Sequence, residues 1–371
     1  MRAKKSNTSE MTETIVLTPS DVTNMLAGLY LANSYERASF FRGAPGIGKT
    51  SAVRAAVDKL RETYPDFGYI EINPTMPADE VGGIPDLIRA DGQPTKTDYA
   101  MPSWFPTDPG WRGIICLDDM AQGDKMMQTT LANLIQAKNL RMHPLPKGAM
   151  IVGTGNRAED NAGSGRLLTH LADRLTIFDI EPCSKSWIND FALSNGVDER
   201  IISYIQQHED KLNMFNAKAT KCPTSRTWAA LATRMDYIDS LNTPDTKATY
   251  EKFGMAIMVG ELGMGEAMAF WNFCQMWGQI PDINAILKNP KDAALVEGVD
   301  LQYATAAAIA KQMTLETFSN GLEYVERLNQ DLTAMTVKLG TRNKPELADS
   351  EPFIDWAAAN QELIHGWTAK R

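Results

Sequence analysis

A run of glycines that ends in a lysine and a threonine is the first part of this sequence with the residue types for chemistry. Gly43 to Thr50 read G-A-P-G-I-G-K-T and fit the pattern G-x-x-x-x-G-K-[ST], which is typical of phosphate-binding loops. Glycines let the backbone curl, so that several N–H groups face one anion without Cβ clashes. Lys49 would bridge the β and γ phosphates of a nucleotide, and the Thr50 hydroxyl would hold Mg²⁺. The alternative is a glycine-rich turn that matches the pattern by chance.

The predicted binding residues extend one position beyond the motif, into the helix that follows it. They are Gly43, Ala44, Pro45, Gly46, Ile47, Gly48, Lys49, Thr50 and Ser51.

Two carboxylates at the end of an apolar segment are the second chemical feature. Residues 113–119 read G-I-I-C-L-D-D, which predicts a buried strand that ends in Asp118 and Asp119. A metal that is bound to phosphates needs a hard oxygen ligand beside the phosphate loop. We therefore expect Asp118 to act on Mg²⁺, through water, and Asp119 to orient or deprotonate an attacking water.

An asparagine and an arginine complete the candidate residues. Asn156 follows a predicted strand at 149–153, and open parallel sheets bind ligands at the carboxyl ends of their strands. Its amide is placed to hydrogen-bond the γ phosphate and the water, although it would also suit a simple turn. Arg226 falls in the first turn of a predicted helix, where a cation opposes the helix dipole. That unfavourable position makes it a functional candidate, with an ordinary surface arginine as the alternative.

Alternating strands and helices must position these residues. The periodicity predicts a first helix at 21–38, a helix after Lys49, and an excursion at 74–111 that holds a hairpin turning at Asp91-Gly92. Trp104, Phe105 and Trp111 should anchor that excursion by burial, with a substrate channel lined by one of them as the alternative. From Pro182 onward only helices are predicted. The predicted strands are 40–41, 67–73, 113–119, 149–153 and 175–180.

The length of 371 residues is too great for one hydrophobic core. The pattern predicts a disordered tail at 1–18 and an α/β nucleotide-binding domain at 19–181. A helical lid at 182–243 and a C-terminal helical region at 244–371 follow.

Composition and charge limit the class of protein. With 43% apolar and 22% charged residues, the chain reads as an ordinary globular protein. A net charge of -9 argues against a nucleic acid as the main partner, with a local basic groove as the alternative. Four scattered cysteines without a C-x-x-C pair indicate reduced thiols and a cytoplasmic location. The start of the chain resembles no secretion signal, and no apolar run is long enough for a membrane span.

Taken together, these motifs resemble the AAA+ ATPases, and especially the MoxR-like branch of bacteria and phages. The resemblance covers most of the chain and weakens beyond about residue 235. It implies an AAA+ P-loop NTPase core with a five-stranded parallel sheet, an α-helical lid and a C-terminal helical region. The matching segments are G-N-R at 155–157, L-A-D-R-L at 171–175, P-T-S-R-T-W at 223–228, D-E-V-G-G-I-P at 79–85 and V-G-E-L-G-M-G-E-A-M-A-F at 259–270.

The resemblance also implies cofactors, residue roles and an assembly. ATP and Mg²⁺ are the implied cofactors, with Lys49 and Thr50 as the phosphate-loop pair and Asp118 as the magnesium acid. Asn156 matches the first sensor, and Arg226 matches the second. Arg174 falls where the family places the arginine finger that reaches a neighbour's nucleotide, with Arg166 as a rival. A finger that acts between subunits implies a ring, which in this family is usually a hexamer.

One departure from the family keeps several functions open. Most relatives end the acidic strand in Asp-Glu, whereas this chain has Asp118-Asp119, so slow hydrolysis is predicted. The leading hypothesis is a ring ATPase that remodels or matures a partner protein. MoxR-like proteins work with a von Willebrand factor A domain, which would here be a separate polypeptide. The alternatives are an ATP-gated scaffold with little hydrolysis and a nucleic acid motor or loader.

Overall fold

The computed structural model describes residues 15–91, 93–157, 160, 167–276 and 279–361. The strands are β1 (Val16–Leu17), β2 (Ala38–Arg42), β3 (Gly68–Ile72), β4 (Ile84–Ala90), β5 (Gln93–Ala100), β6 (Arg112–Leu117), β7 (Asn139–Leu140), β8 (His143–Pro144), β9 (Gly148–Gly155) and β10 (Leu175–Ile180).

Helices lie between the strands and form nearly all the regular structure after β10. Those of the first half are α1 (Pro19–Leu31), α2 (Lys49–Arg61), α3 (Ala78–Gly82), α4 (Lys125–Ala137) and α5 (Thr169–Ala172), with a 3₁₀ turn at Met120–Gln122. Those of the second half begin with α6 (Ser184–Ser186), a π-helix (Trp187–Ala192), α7 (Glu199–Gln207), a 3₁₀ turn (Glu209–Leu212), α8 (Ser225–Ala232) and α9 (Met235–Ser240). They continue with α10 (Lys247–Leu262), α11 (Met264–Met276), α12 (Ile283–Lys288), α13 (Val299–Gln312), α14 (Phe318–Glu326), α15 (Gln330–Asn343), a 3₁₀ turn (Pro345–Asp349) and α16 (Glu351–Ala359).

The central sheet is parallel throughout, in the order β1-β10-β2-β9-β6-β3. Its strands β2, β9 and β6 are almost entirely buried, as the apolar run at Ile114 to Leu117 predicts for a sheet that has helices on both faces. The predicted fold class, a parallel α/β core followed by helices, is confirmed.

The sheet has one strand more than the five predicted. The additional strand, β1, falls inside the segment predicted as a disordered tail and pairs with β10 at the edge of the sheet. Two residues are too few to show a strand period, and this strand is defined by its pairing, including the bond from the Glu181 N–H to the Leu17 carbonyl at 3.0 Å. The tail prediction is therefore wrong for Val16–Leu17.

Helix α1 is also shorter than the predicted 21–38. Thr18 caps it with a reciprocal bond to Asp21, and Pro19 occupies the first turn, so the helix begins earlier than expected. It ends at Leu31, and Asn33 adopts a left-handed backbone with φ of 51°. That conformation stops a helix, and asparagine tolerates it better than most residues.

The excursion between β3 and β6 contains the predicted hairpin. Strands β4 and β5 pair antiparallel, and Asp91 at the turn has φ of 52°. Gly92, the other half of the predicted turn, lies outside the described residues. Phe105 is buried, while Trp104 and Trp111 pack half-buried against the sheet core, which confirms their anchoring role.

The chain divides into two compact units. The first holds the residues up to Ala44 together with Lys49–Glu181, and the second holds Pro45–Gly48 together with the residues from Pro182 onward. The first unit is built around the parallel sheet. The second has one helical core, which draws side chains from Ile188 to Trp356. The separate lid and C-terminal region therefore share a core, and their division at residue 243 stays a prediction. Among the described residues, no helix combines the length and apolar character needed to cross a lipid bilayer.

Candidate nucleotide-binding site

Three neighbouring strands of the first unit end at one edge of the sheet. Strand β9 lies between β2 and β6, and all three run in the same direction. The phosphate loop follows β2, Asp118 follows β6, and Asn156 follows β9. Because the carboxyl ends of parallel strands meet at the same edge, the fold brings together residues that are far apart in sequence.

The phosphate loop has the backbone that its glycines were expected to supply. Gly46 and Gly48 have φ of 76° and 97°, a region that residues with a Cβ rarely adopt. The Gly43 N–H donates to the Gly155 carbonyl at 3.2 Å, so the loop is tied to the end of β9. Helix α2 begins at Lys49. The loop therefore joins a strand to a helix N-terminus, an arrangement that favours anions.

Lys49 is buried where these three strands end, with 7% of its surface exposed. Its Nζ donates to the carbonyls of Gly43 and Ala44 and to Asn156 Oδ1, each at 2.9 Å. An ammonium group has three N–H donors, so these three oxygens fix its position. The structure thus places the predicted phosphate lysine in contact with the predicted sensor asparagine, although their roles stay predictions.

Asp118 accepts two short hydrogen bonds on one carboxylate oxygen. Thr50 Oγ1 and Thr154 Oγ1 both donate to Asp118 Oδ1 at 2.5 Å. The first bond joins the phosphate loop directly to the acidic strand. Thr154 was not among the residues selected from the sequence, although it lies two positions before Asn156 in the T-G-N segment.

Asp119 has a left-handed backbone, with φ of 52° and ψ of 40°, immediately before the 3₁₀ turn Met120–Gln122. Its backbone N–H donates to Thr154 Oγ1 at 3.3 Å. Asp and Asn tolerate this conformation better than other residues with a Cβ. The backbone therefore gives a physical reason for Asp at this position.

The residues present fit a nucleotide with Mg²⁺. Magnesium prefers oxygen ligands and usually takes only one or two from the protein, with phosphates and waters supplying the rest. Thr50 and Asp118 supply such oxygens, and the loop supplies N–H donors for phosphate. Lys49 supplies a buried ammonium that would exchange one of its three present acceptors for a phosphate oxygen. Within the described part of the chain, no group of three or more His, Cys, Asp or Glu is placed to hold a metal alone.

Comparison with known proteins gives only distant structural similarity. No protein-family model matches the chain, and no curated protein matches it. A presumed ATPase from Cytophaga hutchinsonii is 13% identical, with a TM-score of 0.32, over 92% of this chain and 88% of that one. The RuvB Holliday junction branch migration motor of Thermotoga maritima is 14% identical, with a TM-score of 0.38, over 83% of this chain and 87% of that one. The function proposed below therefore depends on the geometry of this chain.

Arg174, the predicted finger, is held within its own subunit. Its Nε donates to Gln136 Oε1 at 2.6 Å, and a guanidinium nitrogen donates to the His170 carbonyl. A finger role would require the side chain to leave these contacts, so the role stays a prediction. Its rival, Arg166, lies outside the described residues.

Arg226 lies in the first turn of α8, as predicted, and its side chain is exposed. Thr224 is the cap of that helix, and Thr227 completes the reciprocal capping bond. Within the second unit, the Arg226 N–H donates to the Gly46 carbonyl at 3.1 Å. The backbone position is thus defined, while the predicted sensor role of the guanidinium stays a prediction.

Two neighbours of the site have structural rather than chemical roles. Arg157, next to Asn156, forms ion pairs with Asp160 at 3.3 Å and with Glu181, and so braces the segment after β9. The Cys116 thiol is fully buried, and burial together with the charge of Asp118 raises its pKa. The thiol therefore stays protonated at neutral pH and is no candidate nucleophile.

Proposed function

We propose that this chain is a Mg²⁺-dependent ATPase of the AAA+ type, in its MoxR-like branch. The observation that carries the proposal is the 2.5 Å hydrogen bond between Thr50 and Asp118. It joins the last residue of the phosphate loop to the first carboxylate after the acidic strand. Thr50 and Asp118 lie beside the buried Lys49 where the parallel strands end, and phosphate chemistry is the function that explains these three residues together.

Each side chain has a task that its position supports. The loop N–H groups and Lys49 bind the phosphates, and Thr50 and Asp118 hold the metal, which when bound neutralises phosphate charge. Asp119 accepts a proton from the attacking water or orients it. Asn156, which accepts from Lys49 Nζ at 2.9 Å, supplies its amide to the γ phosphate and the water.

The assembly and partner follow from the resemblance of the motifs. We propose a ring of identical subunits, a hexamer in the family pattern, in which Arg174 completes a neighbour's site. Its work would be to remodel or mature a client protein, together with a separate protein that carries a von Willebrand factor A domain. A net charge of -9 disfavours the alternative of a nucleic acid motor.

A second function, an ATP-gated scaffold with little hydrolysis, is favoured by one observation. Asp119 has a left-handed backbone, and its side chain is one methylene shorter than that of Glu. Its carboxylate, which would orient the water, therefore lies closer to the end of the strand than a Glu carboxylate would. A displacement of about 1 Å is enough to lower a rate on the order of a hundredfold. Turnover per bound ATP separates the two functions, because a scaffold binds ATP stoichiometrically and releases little ADP.

The test of nucleotide binding compares two lysines of the same helix. Lys49→Ala removes the buried ammonium, and Lys59→Ala removes an exposed one that contacts Asn24 at 2.8 Å. We expect Lys49→Ala to weaken binding of a fluorescent ATP analogue by at least about tenfold, because a hydrogen bond to a charged group contributes about 1.5–3 kcal/mol. Lys59→Ala should bind like the native chain.

The same titration shows what would contradict the proposal. If the native chain with Mg²⁺ has no measurable affinity for adenine nucleotides, the proposed function is wrong. Equal affinities in the two variants would show that the loop is a turn that only matches the motif. Thermal denaturation of both variants confirms that each comparison is made on folded protein.

A further inference from the structure

A buried hydroxyl lies between the two acids of the site. Thr154 in β9 is 0% exposed. Its Oγ1 donates to Asp118 Oδ1 at 2.5 Å and accepts the Asp119 N–H at 3.3 Å. A single side-chain atom of one strand is thus bonded to two consecutive residues at the end of the next strand.

The sequence around Thr154 directs this hydroxyl toward the acids. Side chains alternate along a strand, so Thr154 faces the side opposite to its neighbours Gly153 and Gly155. Those glycines accommodate Phe40, because a Cβ on either would lie within 2.9 Å of its ring. One face of β9 therefore serves packing, and the other presents a hydroxyl at the position where β6 ends.

Packing alone does not account for a hydroxyl at this position. Valine has nearly the same shape as threonine and is favoured in buried parallel strands. Burial of a hydroxyl is costly unless it is hydrogen-bonded, and the Thr154 hydroxyl uses both its proton and an acceptor site on the acids. Its contacts are those expected of a residue that does not touch a metal itself but hydrogen-bonds and orients a carboxylate that binds one.

We propose that Thr154 is a positioning residue, which fixes Asp118 in the orientation that binds Mg²⁺ and fixes the backbone from which Asp119 projects. Thr50 and Thr154 approach the same oxygen of Asp118, so the carboxylate is held from the loop and from the sheet at once. The role rests on the proposed function. Its specific content is that the hydroxyl of Thr154, through Asp118, raises the affinity for Mg²⁺ and leaves the affinity for the nucleotide unchanged.

The test separates nucleotide affinity from metal affinity in the full chain. Thr154→Val removes the hydroxyl and keeps the shape, whereas Thr154→Ser keeps the hydroxyl. Binding of a fluorescent ATP analogue is measured first in EDTA and then in a Mg²⁺ titration. Thr305→Val is the matched control, because Thr305 is also 0% exposed, but its hydroxyl has no hydrogen-bond partner within the described residues.

We expect Thr154→Val to bind the analogue in EDTA like the native chain and to need at least about tenfold more Mg²⁺ for the metal-dependent increase in affinity. Thr154→Ser should restore most of the native Mg²⁺ dependence, and Thr305→Val should leave it unchanged. Circular dichroism checks the fold, and Thr154→Ala replaces the valine variant if that variant is unfolded.

Two outcomes overturn different statements. If Thr154→Val responds to Mg²⁺ as the native chain does, or if Thr154→Ser fails to restore the response, the positioning role is wrong and the proposed function stands. If the native chain binds no analogue with or without Mg²⁺, the proposed function itself is wrong, and this inference is wrong with it.

Discussion

The sheet edge of the first unit and the ion pairs of the second unit use polar side chains in opposite ways. At the edge, Asp118 is hydrogen-bonded by two hydroxyls, which orient a carboxylate without neutralising it. In the second unit, Arg200 donates two bonds to Asp198 and two to Asp239, at 2.6 to 2.9 Å. Such a network pairs one guanidinium with two carboxylates and cross-braces the fold. We therefore expect substitutions at the edge to change chemistry and substitutions in the network to change stability.

The largest expected effect on chemistry is at Arg174. Arg174→Ala should retain ATP binding and lose hydrolysis by about a thousandfold, because a finger stabilises charge only in the transition state. The measurement is steady-state ADP release beside the affinity for a fluorescent ATP analogue. Arg174 is therefore one of the residues whose substitution should change chemistry, although in its own chain its side chain contacts only Gln136 and the His170 carbonyl among the described hydrogen bonds.

The control for Arg174 uses its hydrogen-bond partner. Gln136→Ala removes the 2.6 Å bond and keeps the guanidinium, so it should hydrolyse ATP like the native chain. Mixing Arg174→Ala with Lys49→Ala should restore part of the activity, because a site is complete when it has Lys49 from an Arg174→Ala chain and Arg174 from a neighbouring Lys49→Ala chain. Normal hydrolysis by Arg174→Ala would exclude this residue as the finger and leave Arg166 as the candidate.

A smaller effect on hydrolysis is expected at Asp119. Asp119→Asn keeps a residue that tolerates the left-handed backbone and removes the carboxylate, so turnover should fall by about a hundredfold with ATP affinity unchanged. Asp119→Glu should hydrolyse faster than the native chain, because its carboxylate reaches one methylene further. Single-turnover assays measure both rates.

The two Asp119 variants also show whether the length of the side chain or the left-handed backbone at this position limits the rate of hydrolysis. An unchanged or lower rate in Asp119→Glu would show that the left-handed backbone, which suits Asp, sets the geometry of the carboxylate. Hydrolysis by Asp119→Asn at the native rate would remove this residue from the chemistry altogether.

The sequence predicted the parts of the molecule whose signal is local. The glycine pattern at Gly43 to Thr50 indicates a loop between a strand and a helix. The apolar run before Asp118 indicates a buried strand and the point where it ends. Parallel strands then bring these motifs to one edge, so the neighbourhood of Lys49 with Asn156 was predictable.

What the sequence did not show depends on pairing or on backbone angles. Strand β1 has two residues and is defined by its bonds to β10, which no local period reveals. Thr154 follows the predicted strand at 149–153, and only the pairing of β9 with β6 shows that it lies beside Asp118. The left-handed angle of Asp119 likewise has no signature in the letters D-D alone.

The smallest expected effect on chemistry comes from the second unit. Arg200→Met leaves Asp198, whose side chain is 16% exposed, and Asp239, which is 47% exposed, without their guanidinium. Because one carboxylate is largely buried, the free energy of unfolding in urea should fall by about 2–3 kcal/mol. The affinity for the fluorescent ATP analogue should stay within twofold of native, about the precision of such a titration. A loss of affinity without a loss of stability would contradict the division of roles between the two regions, because it would give this ion-pair network a direct part in nucleotide binding.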